Sequence, residues 1–137
     1  MNNKTASRSR AKNDKDSILA DAKNMLKIFH GAYSNMTKFD RMDGPAADFR
    51  RAALDIIKNF NMAKECPEIR LQCIQQMFGD FGVLLSMFEL CSHLMTANNR
   101  LAIAAQLDRI EEGVRKWRKS VRSQQYTISD SLAGHAK

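Results

Sequence analysis

Apolar residues recur at three- and four-residue steps along most of the chain, the spacing that places them on one face of an α-helix. The first stripe follows Asp16 and Ser17, either of which is a suitable helix N-cap. It consists of Ile18, Ala22, Met25, Leu26, Phe29, Tyr33 and Met36. Polar and apolar residues never alternate with period two for long, so the pattern predicts helices and no β-strands.

Three interruptions divide this helical pattern. Residues 38–44 break the first stripe, and Asp43-Gly44-Pro45 signals a turn followed by a new helix. Pro67 ends the second helix and fits the first turn of the third, because proline disrupts a helix interior but is tolerated at its start. The third helix is predicted over residues 67–96 and, after Asn98-Asn99, the fourth over residues 99–122.

Four amphipathic helices with short connections predict an all-α protein, an antiparallel up-down-up-down four-helix bundle over residues 16–122. Residues 1–15 hold several lysines and arginines and few apolar side chains, so we expect a disordered basic arm there. Residues 123–137 are also polar, and we expect a flexible C-terminal tail.

The overall charge narrows the range of partners. The chain has 137 residues and carries a net charge of +7, an excess that attracts phosphate backbones and anionic surfaces. The longest uncharged apolar run, residues 81–88, is too short to span a bilayer, so no membrane association is expected. The first residues lack the apolar stretch of a secretory signal, and the three cysteines form no disulfide pattern. We therefore expect a cytoplasmic protein.

The sequence contains no pattern that carries known catalytic chemistry. It has no glycine-rich phosphate loop, no zinc-binding His-Glu-x-x-His and no nucleophile elbow, so we expect no catalytic residue, no metal, no cofactor and no enzymatic activity. The cysteines are better interpreted as small buried hydrophobic residues than as zinc ligands. Glu111 and Glu112 stand alone on the fourth helix and are interpreted as solvated.

Positive charge is concentrated near the end of the fourth helix. Residues 115–122 hold five cations and no carboxylate, together with Trp117, which we expect to be buried in the core. Cations also stabilise the negative end of a helix dipole, which accounts for two or three of them. A second, weaker patch lies on the second helix, where a solvated face is the favoured interpretation and phosphate binding is the alternative. The predicted nucleic-acid-binding residues are Arg50, Arg51, Lys58, Arg115, Lys116, Arg118, Lys119 and Arg122.

Three short motifs resemble those of a known family of small four-helix bundles. They are Lys38-Phe39 with Arg41, Phe49-x-x-Ala52-Ala53-Leu54-x-Ile56, and Leu107-x-x-Ile110-x-x-Gly113-x-x-x-Trp117-x-Lys119-Ser120. The pattern is similar to that of proteins encoded in ribosomal RNA intervening sequences. It resembles still more closely the accessory variability determinant proteins of diversity-generating retroelements. The likeness covers roughly residues 23–120.

The resemblance implies a homo-oligomeric ring, a pentamer, with a basic surface. It also implies that the chain binds a reverse transcriptase and its template RNA, with DNA as a further ligand, and supports mutagenic cDNA synthesis without doing chemistry itself. The alternative, from a different class, is a protein-only interaction or structural module of a phage or mobile-element assembly. The residues alone leave open the oligomer number, the nucleic acid recognised and the role of the basic arm.

Overall fold

The computed structural model describes residues 14–135 of the chain, with side chains for residues 17–125. Over this range the chain is an all-α helical bundle without strands. Short 3₁₀ turns at Pro67–Ile69 and Ser92–Leu94 flank the fourth helix. The α-helices are α1 (Asp14–Tyr33), α2 (Lys38–Met42), α3 (Pro45–Glu65), α4 (Arg70–Cys91) and α5 (Ala97–His135).

Helix α1 begins earlier than its apolar stripe indicates. It starts at Asp14, ahead of the predicted start at Asp16 or Ser17, because no proline or glycine in this segment interrupts the helix. The predicted arm over residues 1–15 is therefore wrong for its last two residues. The rest of that arm, residues 1–13, lies outside the described part of the chain.

The interruption predicted at residues 38–44 contains a short helix, α2. The Thr37 hydroxyl accepts a hydrogen bond from the Asp40 backbone N–H at 3.2 Å and donates one to the Asp40 carboxylate at 2.7 Å, which caps the helix. The Tyr33 hydroxyl donates to the Arg41 carbonyl and so ties α2 to the end of α1. At Gly44, the N-cap of α3, a Cβ would lie 3.3 Å from the Asp40 backbone, so glycine permits this close approach.

Helix α3 has the predicted bounds, with Pro45 in its first turn and its end just before Cys66 and Pro67. The predicted third helix is α-helical over a shorter range than residues 67–96, because 3₁₀ turns replace the α-helix at both ends. The Arg70 guanidinium donates to the Ala63 carbonyl at 2.7 Å, which satisfies a free carbonyl at the end of α3.

Helix α5 is longer than predicted at both ends. The prediction ended it near Arg122 and treated residues 123–137 as a flexible tail, but the helix continues to His135. After Gly113 the sequence contains no proline, and its next glycine is Gly134, so nothing in it stops the helix earlier. The apolar stripe becomes sparse after Val121, which explains why periodicity alone ended the helix too early.

The core lies between two closely packed helix pairs. Helix α1 packs along α5 and α3 packs along α4, whereas contact between α1 and α3 and between α4 and α5 is smaller. Phe49 of α3 contacts both Phe29 of α1 and Phe88 of α4, with ring centroids 4.4 Å and 6.1 Å apart. Further along, Asn59 of α3 donates a hydrogen bond to Asp80 of α4 at 2.7 Å. These two contacts show that α3 and α4 run antiparallel; the complete up-down-up-down order remains a prediction.

Candidate nucleic-acid interface

Helix α5 has one apolar and one cationic face because its two residue types repeat in separate helical registers. Its buried residues recur at three- and four-residue steps and are Ile103, Leu107, Ile110, Val114 and Val121. Fully burying a side chain of this kind contributes about 1.5–3 kcal/mol, so the burial of this stripe fixes which face is left in water. The opposite side exposes four basic residues, here called the α5 cationic face: Arg115, Lys116, Lys119 and Arg122.

Two members of the α5 cationic face are ion-paired one turn back along the helix. Arg115 pairs with Glu111, and the Lys116 ammonium lies 3.2 Å from the Glu112 carboxylate. These two glutamates, which we interpreted as solvated, are partly or fully exposed, and a four-residue spacing brings each beside a cation. Solvent-exposed pairs of this kind contribute only about 0.3–0.5 kcal/mol, so a phosphate group can compete for the cations.

The other two members of the face are free to bind an anion. Lys119 and Arg122 are exposed, and neither forms an ion pair with another side chain of residues 17–125. They lie three residues apart and Arg115 lies four residues before Lys119, so the three side chains share one stripe of the helix. Phosphates spaced along a nucleic-acid backbone can therefore meet several cations at once.

Arg118 is turned away from this face and packs on the bundle. Its guanidinium carbon lies 4.0 Å from the centroid of the Phe78 ring on α4, a cation–π contact that covers part of the side chain. The neighbouring Trp117 is partly buried against the core, with its ring centroid 5.4 Å from that of Phe60. Trp117 therefore packs against the core, as predicted, although it is only partly buried.

The cations predicted on α3 are separated by the helix itself. Arg50 borders a groove beside α1, whereas Arg51 lines a depression beside α4. Arg51 pairs with Asp48 at 3.0 Å, and two further carboxylates, Asp55 and Asp80, line the same depression. Arg51 thus lies in an acidic environment that disfavours a phosphate. Adjacent positions in a helix point about 100° apart, which explains why neighbours in sequence face different surroundings.

The remaining predicted residue, Lys58, is exposed on α3. The structure therefore brings four of the eight predicted residues together on α5 and distributes the others over separate surfaces.

The acidic depression perturbs one carboxyl group. Burial raises the pKa of Asp80, the hydrogen bond from Asn59 lowers it, and the nearby charge of Asp55 raises it again, with a net increase. The same hydrogen bond from Asn59 to Asp80 links α3 to α4.

One basic cluster was not predicted from the sequence. Lys23, Lys27 and His30 of α1 line a groove together with Arg50 of α3. Their spacing along α1, four residues and then three, already predicts a shared helix face. Only the packing of α1 beside α3 shows that Arg50 joins them.

The cysteines have surroundings that suit structural residues. All three are free thiols; Cys73 and Cys91 are buried, as predicted, and Cys66 is partly buried. Burial raises the pKa of the Cys91 thiol to about 11, so it stays protonated at neutral pH. Within the described residues, His, Cys, Asp and Glu side chains form no group that could hold a metal ion.

None of the helices within residues 14–135 has the length and apolar character needed to cross a lipid bilayer. Comparison of the chain with known protein families, with curated proteins and with solved structures finds no match in any of the three.

Proposed function

We propose that this chain is a non-catalytic, nucleic-acid-binding accessory protein. In this proposal it associates with a reverse transcriptase and its template RNA in a diversity-generating retroelement and supports mutagenic cDNA synthesis. The observation that carries the nucleic-acid part is the α5 cationic face, where four exposed cations share one side of a rigid helix. The link to a reverse transcriptase comes from the sequence motifs that resemble accessory variability determinant proteins.

The proposed mechanism is scaffolding in the cytoplasm. Lys119 and Arg122 contact phosphates first, because their charges are not shared with a carboxylate among the described side chains. Arg115 and Lys116 add contacts when their weak pairs with glutamates open. Binding of this kind depends on counterion release and is largely independent of sequence. It holds an RNA, or a DNA strand, close to an enzyme that provides the chemistry and the specificity.

A homo-oligomer is the second part of the proposal, and α4 provides a suitable face. All of α4 is described, and Glu89 is the only charged residue among its exposed positions. One helical stripe on this face is uncharged throughout: Gln72, Gln76, Gly79, Val83, Ser86 and Leu90. A Cβ placed at Gly79 or Gly82 would meet no described atom within 4 Å, so neither glycine serves packing inside the chain.

Charge explains why such a face suits contact between copies. Each chain carries +7, so two copies repel at long range, and a contact through uncharged surfaces adds no local repulsion to this. Exposed Val83 and Leu90 provide apolar area, and the glycines let another helix approach closely. We propose that the subunits of a pentameric ring meet through this face, which leaves α5 available to nucleic acid.

The experiment that tests the proposed function has two measurements. The first is fluorescence anisotropy of a labelled RNA oligonucleotide at increasing salt, where we expect a steep loss of affinity. The second is purification of the tagged chain from cells that co-express its neighbouring genes, with and without nuclease treatment. Recovery of a reverse transcriptase with a structured RNA is expected. A salt-independent affinity and recovery of neither partner would overturn the proposal in favour of a protein-only module.

A further inference from the structure

The groove between α1 and α3 combines an apolar floor with a basic rim. It exists because these two helices touch each other less than either touches its main partner. Its open volume is about 330 Å³, within the range of sites that bind ligand side chains or small molecules. The floor is formed by Leu26, Phe29 and Leu54, and the rim by Lys23, Lys27, His30 and Arg50.

No described carboxylate pairs with the positively charged side chains of the rim. Lys23, Lys27 and Arg50 are exposed, and none of them forms an ion pair with another described side chain. No carboxylate of the described side chains lines the groove. An occupant with negative charge at its edges is therefore attracted from both sides, by two cations on α1 and one on α3.

The floor selects against a nucleic-acid base. Base recognition by single-strand-binding proteins relies on stacking against open aromatic faces. The only aromatic residue of the floor, Phe29, is 1% exposed, so it offers no face to a base. Leu54 is 42% exposed and provides aliphatic surface instead. Burying this aliphatic surface against other apolar side chains is favourable, and a protein segment supplies such side chains.

We propose that the α1–α3 groove binds an acidic amphipathic helix of a partner protein. Apolar side chains at three- and four-residue steps on that helix pack on Leu26 and Leu54, while its flanking Asp and Glu residues pair with Lys23, Lys27 and Arg50. This is the helix-in-groove mode of recognition, with charge complementarity provided by the rim. The site is separate from the α5 cationic face, so the proposal stands or falls independently of nucleic-acid binding.

The test uses two synthetic peptides with identical leucines at helical spacing, one flanked by glutamates and the other by lysines. Each labelled peptide is titrated with the full chain and followed by fluorescence anisotropy. We expect the acidic peptide to bind and the basic peptide not to bind. NMR spectra of leucine methyl groups are expected to shift at Leu26 and Leu54 on addition of the acidic peptide, and to change little at Leu101, which is exposed on α5.

Two variants separate the groove from the net charge of the protein. Arg50→Glu is expected to weaken binding of the acidic peptide roughly tenfold, because it replaces an attraction with a repulsion. Arg51→Glu is the matched control, since it changes the charge equally at the next residue but on the side of α3 that faces α4. It is expected to change the affinity less than about twofold, the effect of net charge alone under salt screening.

A third variant, Leu54→Lys, adds a cation while removing the exposed floor residue. This variant is expected to weaken binding of the acidic peptide, although the added positive charge alone predicts tighter binding. Circular dichroism of each variant checks that the exposed substitutions leave the helices intact. Equal effects of the two arginine variants, equal binding of the two peptides, or displacement of the acidic peptide by single-stranded RNA would each overturn the proposal. The last result would assign the groove to nucleic acid.

Discussion

The ion pairs on α5 lead to a local prediction: removing two negative charges one turn away from the proposed contacts should tighten RNA binding more than removing two charges elsewhere. Glu111 and Glu112 hold Arg115 and Lys116, so a phosphate must break both pairs before it meets all four cations of the α5 cationic face. The perturbation is the double variant Glu111→Gln with Glu112→Gln, which keeps the shape of both side chains and removes their charge.

The magnitude follows from the exposure of these pairs. In the Lys116–Glu112 pair both side chains are well exposed, at 59% and 66%, so each pair is worth about 0.4 kcal/mol. Releasing two pairs therefore removes a cost of about 0.8 kcal/mol, which corresponds to a roughly fourfold lower Kd for RNA. The helix loses the same small amount of stability, which a bundle of this size tolerates.

The complementary variant, Lys119→Gln with Arg122→Gln, removes the two cations that have no carboxylate partner. Each lost phosphate contact lowers the slope of log affinity against log salt by about 0.7 for a single strand, so the slope should fall by about 1.4. At physiological salt this corresponds to a roughly tenfold weaker Kd. Both double variants are assayed by anisotropy of the same single-stranded RNA over a salt series.

A control with the same change in net charge is Glu65→Gln with Glu68→Gln. Both glutamates are exposed and lie outside α5, so they alter the charge of the chain but not its cationic face. If this control tightened RNA binding as much as the change at Glu111 and Glu112, the local argument would be refuted and only the net charge would matter. Weaker RNA binding after Glu111→Gln with Glu112→Gln would refute the local argument more directly.

Three further predictions concern stability and reactivity. Asp80→Asn should raise the free energy of unfolding at pH 7 and flatten its acid dependence in a pH series of urea melts. The pKa of Asp80 is raised in the native state, so the native state binds this proton more strongly than the unfolded state does. Wild-type stability therefore falls as the pH rises from the unfolded-state pKa through the native-state pKa. Cys66 should react first with iodoacetamide at pH 8, and Cys91 only on unfolding, as seen by mass spectrometry. Ile110→Ala, at a fully buried position, should cost about 3 kcal/mol by urea denaturation, and a cost below about 1 kcal/mol would contradict its assigned place in the core.

Helix type and most helix positions could be predicted because burial imposes a 3.6-residue period that the sequence displays directly. Pro45 and Pro67 marked two boundaries correctly, since the effect of proline is local. The errors occurred where another local effect replaced apolar periodicity. Capping by Thr37 creates α2 within a predicted break. Helix α5 continues beyond Val121 because neither proline nor glycine occurs before Gly134, although few apolar residues follow Val121.

The candidate site was less predictable, because it depends on which helices are neighbours. Arg50 and Arg51 look like one patch in the sequence, yet α1 adjoins the first and α4 the second. The position of Arg118 on Phe78 also depends on tertiary packing. By contrast, the four-residue spacing of Glu111 and Arg115 is enough to predict their ion pair from the sequence.

The separation of charge over the bundle has a consequence for assembly. The face of α4 is nearly uncharged, whereas α5 and the groove between α1 and α3 are basic. Helix α4 packs mainly against α3, and α1 packs mainly against α5, so the uncharged face and the α5 cationic face belong to different helix pairs. Copies that meet through α4 therefore bury no cation of the α5 cationic face and bring few like charges together. In the proposed oligomer the basic surfaces of each subunit would stay exposed, so each added subunit would add sites for a long anionic polymer, and weak individual contacts would combine into tight overall binding.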